Sequence, residues 1–330
     1  MNGIICIYKE KGYTSFDVVA ILRKLCGTKK IGHGGTLDPM AEGVLPVFIG
    51  YATKAVDFCP DTSKEYRAEM RFGVTTDTQD ITGKVLTTSD MQVGRNAQYV
   101  LEQRFKGEQM QVPPMYSAVQ VNGQRLYDLA RQGVEVERKP RPITVHSIKF
   151  EQFENNTATA VISCSKGTYI RTLIHDMGQV AGAGAVMTAL TRTRSGNFTI
   201  KDCYKLSEVR AAYESGGFAA VEKMLMPIEW IYKSFPRALL DEEQTRLFSN
   251  GVVLDAQRVA FEVDGAEKYR IVSPDGELLA LGEIGENKEL NVIQRFKVFR
   301  EQVKKASEEP LVEPKNGLRD ISDLKGVTLS

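Results

Sequence analysis

The stretch GHGGTLDPMAEGVLP, residues 32–46, decides how the rest of the chain is read. On local chemistry alone it is a glycine- and proline-rich loop running into a buried segment, VLPVFIG (residues 44–50). Its Asp38-Pro39 pair favours turn initiation, so the first reading of Asp38 is a turn residue that happens to carry a carboxylate. Gly32 to Gly35 does not complete GxGxxG, and no lysine follows at Walker spacing, so no phosphate loop is expected here.

Working outward, Ser15 to Leu25 places Phe16, Val19 and Leu22 at helical spacing. The segment opens on Thr14 or Ser15 as an N-cap and stops at Gly27, which predicts a helix preceded by a short strand, IICIY. On the other side, Tyr66, Ala68, Met70, Phe72 and Val74 alternate with Arg67, Glu69 and Arg71, which predicts one strand over 66–74 with Tyr66 on the inward face. Residues 113–142 begin with PPMYS, end with KPRP and carry an amphipathic stretch near Leu126 to Arg131, as an inserted excursion would. ATAVISCS (158–165) reads as a strand. It leads through Lys166-Gly167-Thr168 into YIRTLIHDMGQVAG, a helix capped by Thr168 with Arg171 in its first turns, off the apolar stripe. Asp77 to Asp80 reads as a turn, since no third ligand stands at calcium-loop spacing. From Phe235 the pattern changes to short strands split by DG-type turns, which sets a domain boundary near Ser234. Residues 301–330 carry no aromatic side chain and little periodicity, and read as a disordered tail.

The composition is that of a soluble globular protein: 330 residues, 42% hydrophobic, 26% charged and a net charge of +1. No run approaches the roughly 18 apolar residues of a membrane span, and the N-terminus lacks the features of a secretory signal, so a cytoplasmic location is expected. The five cysteines contain no CxxC pair and the three histidines are scattered, so neither a disulfide framework nor a metal site is expected. Lys166, Arg171, Arg192, Arg194, Lys201 and Lys205 outnumber Asp176 and Asp202 between Val161 and Lys205. That patch permits a polyanionic partner without requiring one.

The full spelling of residues 32–46 resembles the signature loop of the tRNA pseudouridine synthase B (TruB) family. The blocks at residues 64–83, 111–133, 141–145 and 164–178 resemble that family's successive blocks in order and approximate spacing, over about two-thirds of the chain. Two spellings depart from the family's: Gly34 stands where it has Thr, and residues 8–15, YKEKGYTS, stand where it has DKPxGxTS. The resemblance implies an α/β (α+β) pseudouridine synthase fold around a mixed, largely antiparallel sheet over residues 1–234, with 113–142 gripping RNA. It also implies a small β-rich PUA-like module at 235–300.

The resemblance makes Asp38 the nucleophile, acting on the ribose C1′ or on the uracil ring, with both routes open. Arg171 is nominated as the guanidinium that stabilises the carboxylate. Tyr66 is expected against the target uracil, Tyr169 and Leu190 as further lining of the base pocket, and His33 as the side chain that fills the place the extruded base leaves. No cofactor and no metal are implied. The implied partner is the T arm of tRNA, handled by a monomer without guide RNA. The alternatives are a guide-RNA-dependent relative inside a ribonucleoprotein and a tRNA-folding chaperone.

Overall fold

The computed structural model describes residues 1–117, 119–121 and 123–296; the expected tail at 301–330 lies outside them. Strand β1 (Gly3–Lys9) is buried almost throughout, as its apolar run requires. Helix α1 (Ser15–Leu25) starts at Thr14, whose hydroxyl accepts from the Asp17 amide while the Asp17 carboxylate accepts from the Thr14 amide, a reciprocal cap. The buried stripe is Ser15, Val18, Val19 and Leu22. Phe16, expected inward, is exposed and lies under the Arg23 guanidinium.

Strands β2 (Ile31–His33) and β3 (Glu42–Ile49) flank the loop quoted above and pair with each other, His33 opposite Val47. Strand β4 (Lys64–Phe72) follows and both begins and ends two residues before the stretch its alternation suggested. Gly73 adopts φ +87°, which turns the chain, and β5 (Val74–Thr76) pairs instead with β6 (Val85–Thr88) in a separate hairpin. Helix α2 (Ala97–Phe105) leads to β7 (Gly107–Gln111). A small hairpin, β8 (Gln120–Val121) and β9 (Gln124–Arg125), and helix α3 (Leu126–Arg131) then precede β10 (Arg141–Glu154). Because β7 and β10 are antiparallel neighbours with Arg141 opposite Gln111, residues 112–140 leave the sheet and return to the adjacent strand.

Strand β11 (Thr157–Cys164), helix α4 (Ile170–Val180), β12 (Ala185–Ser195), β13 (Phe198–Thr199), β14 (Cys203–Tyr204) and helix α5 (Leu206–Glu222) complete this unit. The main sheet runs β14-β1-β3-β12-β4-β11-β10-β7, with β2 on β3 and β13 on β12. Only the β1–β14 and β3–β12 pairs are parallel, so the sheet is mixed and largely antiparallel. Ala68, Met70, Ala160, Ile162, Leu173, Ile174 and Met187 lie in the core cluster between this sheet and α4.

Helix α4 starts one residue later than its sequence indicated. Gly167 takes φ +84° and the Thr168 hydroxyl donates to the Ser165 carbonyl, which spends the expected cap on the turn itself. The Gln111 side-chain amide does the work of a cap: it accepts from the Tyr169 N–H and donates to the Tyr169 carbonyl.

A second compact unit begins at Arg237. It holds β15 (Arg237–Leu239), helix α6 (Glu242–Ser249), β16 (Leu254–Asp255), β17 (Ala260–Phe261), β18 (Tyr269–Val272), β19 (Leu278–Ile284) and β20 (Glu289–Arg295). Its six-stranded sheet, ordered β16-β20-β19-β18-β15-β17, closes on a core that includes Phe248, Tyr269, Ile271, Leu279 and Leu290.

Candidate active site

Asp38 does begin a turn: its carbonyl accepts from the Ala41 amide at 3.0 Å. The turn is held from two sides. The Ser15 hydroxyl accepts from the Leu37 N–H at 2.9 Å and lies 3.2 Å from the Leu37 carbonyl, while the Gly12 amide donates to the Pro39 carbonyl. On the other side Arg192, fully buried on β12, donates to the carbonyls of Gly35 (3.0 Å), Thr36 (3.3 Å) and Val44 (2.7 Å). Gly43 lets the β3 and β12 backbones come close at Arg192. It sits at φ +106°, and a Cβ there would meet the Arg192 carbonyl oxygen at 2.3 Å.

The Asp38 carboxylate faces Arg171, with Oδ2 2.9 Å from Nε. Arg171 is 5% exposed, so its place in the first turn of α4 is interior and polar, not on an open helix face. Its remaining nitrogens are used as well: Nη1 donates to the Thr78 carbonyl (2.9 Å) and lies 3.8 Å from Asp80 Oδ2, and Nη2 donates to the Tyr116 carbonyl (2.7 Å). The turn at residues 77–80 thus has a purpose that its own spelling does not reveal. Asp80, itself buried, is the second anion beside the guanidinium.

A cavity of about 240 Å³ opens over this pair, and Asp38, Tyr66, Tyr169, Arg171 and Leu190 all line it, with Ile170 and Leu37 adding apolar wall. His33 is not in that lining; it stands at the end of β2, half-buried, and burial lowers its proton affinity. Burial likewise raises the Tyr66 hydroxyl above the usual tyrosine range, with the Arg192 guanidinium pulling the other way, so this hydroxyl keeps its proton at neutral pH. Lys9 is buried beneath the same region. Its ammonium donates to the carbonyls of Tyr13 and Glu10 and is pushed down to about 8, chiefly by burial, while Asp38 pulls it upward.

Two buried cations, Lys9 and Arg192, were missed by sequence reasoning. Arg192 alternates with Arg194 in TRTRS, the pattern of a solvated face, and both were counted in a basic patch. Of that patch, Arg171 and Arg192 are buried and Arg194 pairs with Asp61, which leaves Lys166, Lys201 and Lys205 exposed.

The arrangement is chemically specific. One carboxylate, held by a fully engaged guanidinium, points into a small cavity with two tyrosine rings and aliphatic walls. That suits a single carboxylate acting beside a planar group that the rings can stack on better than proton shuttling between paired acids. Among the described residues no cluster of His, Cys, Asp or Glu has the makings of a metal site, and no helix is long and apolar enough to cross a membrane.

Residues 23–170 match the model of the TruB family pseudouridylate synthase N-terminal domain, and residues 171–232 that of the tRNA pseudouridylate synthase B C-terminal domain. Proteins named tRNA pseudouridine synthase B from Clostridium tetani and Levilactobacillus brevis are 40% and 44% identical to this chain. The matches cover 86% and 78% of it, and 96% and 86% of those proteins. A solved Cbf5-Nop10-Gar1 complex contains a chain with a TM-score of 0.69 and 28% identity, covering 89% of this chain and 85% of that one. An H/ACA ribonucleoprotein bound to a substrate RNA containing 2′-deoxyuridine contains another, with a TM-score of 0.67 and 26% identity, again covering 89% and 85%.

Proposed function

The chain belongs to the TruB family of pseudouridylate synthases, and from that premise we propose that it isomerises the T-loop uridine at position 55 of tRNA to pseudouridine. It acts as a monomer in the cytoplasm, without guide RNA, metal or cofactor. The observation that carries this reading is the Asp38–Arg171 pair, 2.9 Å apart at a cavity lined by Tyr66, Tyr169 and Leu190.

Pseudouridylation breaks the N1–C1′ bond, turns the uracil and joins C1′ to C5. The C5 proton is lost and N1 gains one, so no oxidant or energy source enters. Asp38 attacks C1′ or adds to the ring; either route requires the ionised carboxylate that Arg171 stabilises. Tyr66 offers a ring face for stacking and a protonated hydroxyl for holding or relaying a proton during the rearrangement. The target base is extruded from the T loop at an unstacking cost of a few kcal/mol, recovered by contacts in the cavity and by His33 filling the vacated place in the stack. Residues 113–142 grip the folded arm by its backbone and shape, and the unit from Arg237 adds a PUA-like contact.

A second reading rests on the two solved neighbours, both from H/ACA assemblies: the chain would then need a guide RNA. One assay separates the two. Purified protein is incubated with an unmodified tRNA transcript, without guide RNA or metal, and pseudouridine is mapped. Product at the T loop is expected; no product in that mixture would overturn the stand-alone reading.

A further inference from the structure

A second cavity, of about 220 Å³, is lined by Gly34 and Gly35 of the loop that carries Asp38, and neither Asp38 nor Arg171 is in its lining. Lys64 borders it. This lysine is the first residue of β4 and stands on the same face of the strand as Tyr66, two residues on. Its ammonium donates to the Gly34 carbonyl at 3.1 Å and to the Ser195 hydroxyl at 2.9 Å. The contact with the loop is steric as well as polar, since a Cβ on Gly35 would meet both Lys64 Cε and Nζ at 3.2 Å. Arg192 takes the Gly35 and Thr36 carbonyls of the same segment. Two cations therefore hold three consecutive carbonyls, those of Gly34, Gly35 and Thr36, and Asp38 follows two residues later.

We propose that Lys64 is a positioning residue of the isomerisation: its ammonium fixes the height of residues 34–36 and so aims the Asp38 carboxylate at the base bound against Tyr66. The proposal rests on the reading of Asp38 as nucleophile given above. Lys64 touches neither Asp38 nor the cavity over it; it acts through the loop, and through β4 it ties the loop to the strand that carries Tyr66. The arrangement also explains why a lysine is tolerated here. A half-buried ammonium needs hydrogen-bond acceptors, and a loop whose carbonyls turn inward needs donors. Each satisfies the other.

The anchor is charge-dependent. Lys64 is pushed down to about 8, first by burial and next by Arg192 on β12; Cys164 on β11, together with Cys59 and Asp61 before β4, pulls it upward, and Asp57 and Lys166 line the same cavity. The ammonium form prevails below that value. Above it the neutral amine keeps two N–H donors but loses the charge that makes such bonds roughly twice as strong.

The test compares the wild-type protein with Lys64→Met and Lys64→Gln, using single-turnover rates on a saturating tRNA transcript, tRNA affinity, and amide exchange of residues 34–38. Lys64→Met is expected to slow the bound-state rate on the order of 100-fold, the cost of a small misplacement of a reacting group. Affinity should stay within about 3-fold, and exchange should rise in 34–38 but not in β4 or β12. The wild-type rate should fall as pH rises through about 8, and that fall should be missing from the Lys64→Met profile. An unchanged rate, or a loss confined to tRNA affinity, would overturn the proposal, the latter by making Lys64 an RNA contact. Exchange rising throughout the sheet would also overturn it, as the mark of a general stabiliser. Lys64→Gln keeps donors without charge, so a full wild-type rate in that variant would refute the charge dependence. Amide exchange is read without turnover, so failure of the proposal stays separate from failure of the functional reading, which would show as an inactive wild-type protein.

Discussion

Arg171 Nε lies 2.9 Å from Asp38 Oδ2, and the two side chains live in different solvents: the guanidinium is 5% exposed and the carboxylate 36%. The cation is fixed first, by the Thr78 and Tyr116 carbonyls and the buried Asp80, and the exposed anion is then hung from it. This order suits a nucleophile. Its negative charge is oriented from behind while one side stays open to the cavity.

Arg171→Lys should therefore fail as a conservative change. A lysine carries a compact charge with three donors and no planar fork, and cannot reach Asp38, Thr78 and Tyr116 in the present geometry. The expected result is a loss of turnover on the order of 100-fold or more with the fold retained. Arg171→Met should also destabilise the protein by roughly 3–5 kcal/mol, because Asp80 is left as a buried charge without its cation. Urea unfolding and single-turnover rates measure the two effects; a Lys variant within 3-fold of wild type would sink the idea that the fork matters.

Asp38→Asn should abolish turnover while leaving tRNA binding intact, since the amide is isosteric and cannot act as an anionic nucleophile. His33→Ala should slow turnover by less, because His33 stands outside the cavity lining and its proposed part is to fill a gap in the RNA stack. Parallel rate and filter-binding measurements decide this. Equal and total loss in both variants would force a chemical role for His33, and loss of binding in Asp38→Asn would make Asp38 structural.

How far the chain could be read from its spelling follows from the range of each interaction. The Thr14 cap, the turn at Asp38 and the alternation from Tyr66 to Phe72 are set within a few residues, and they stand as read. Strand β4 still ended early, because the positive φ at Gly73 depends on where the next hairpin goes. Thr168 lost its cap to a side chain 57 residues upstream, Gln111. Arg192 was unreadable for the same reason. Its acceptors at Gly35, Thr36 and Val44 are brought to it by the β3–β12 pairing, and no local pattern separates a buried arginine from one on a wet strand face. The resemblance to a known family supplied the residues around the cavity, but not what holds them.

Gly43→Ala should be costly for a reason that can be isolated. The residue combines φ +106° with a Cβ position 2.3 Å from the Arg192 carbonyl oxygen, so alanine both strains the backbone and pushes β3 away from β12. Gly12 provides the control: it has φ +90° with open space around the Cβ position. Gly12→Ala should cost about 1 kcal/mol and Gly43→Ala on the order of 3 kcal/mol, the difference being the clash. Thermal and urea unfolding of both variants give the comparison; equal losses would show that the Arg192 contact relaxes freely.

The alkaline side of the stability curve should carry opposing signatures from buried thiols and buried lysines. Burial pushes Cys164 from 9.0 up to about 11. The unfolded chain then releases this proton first, so the contribution is complete below pH 9 and is lost as pH rises toward 11, by roughly 2–3 kcal/mol at most. Lys9 runs the other way: pushed from 10.5 down to about 8, it leaves the unfolded chain holding more protons between those values, so its contribution to stability grows with pH across that window. Urea unfolding under reducing conditions at pH 8, 9, 10 and 11 tests both. Cys164→Ala should lower stability at pH 8 and flatten the decline between pH 9 and 11, whereas Lys9→Met should steepen the decline between pH 8 and 10.5. Curves that stay parallel to wild type in both variants would show that neither group changes its proton affinity on folding.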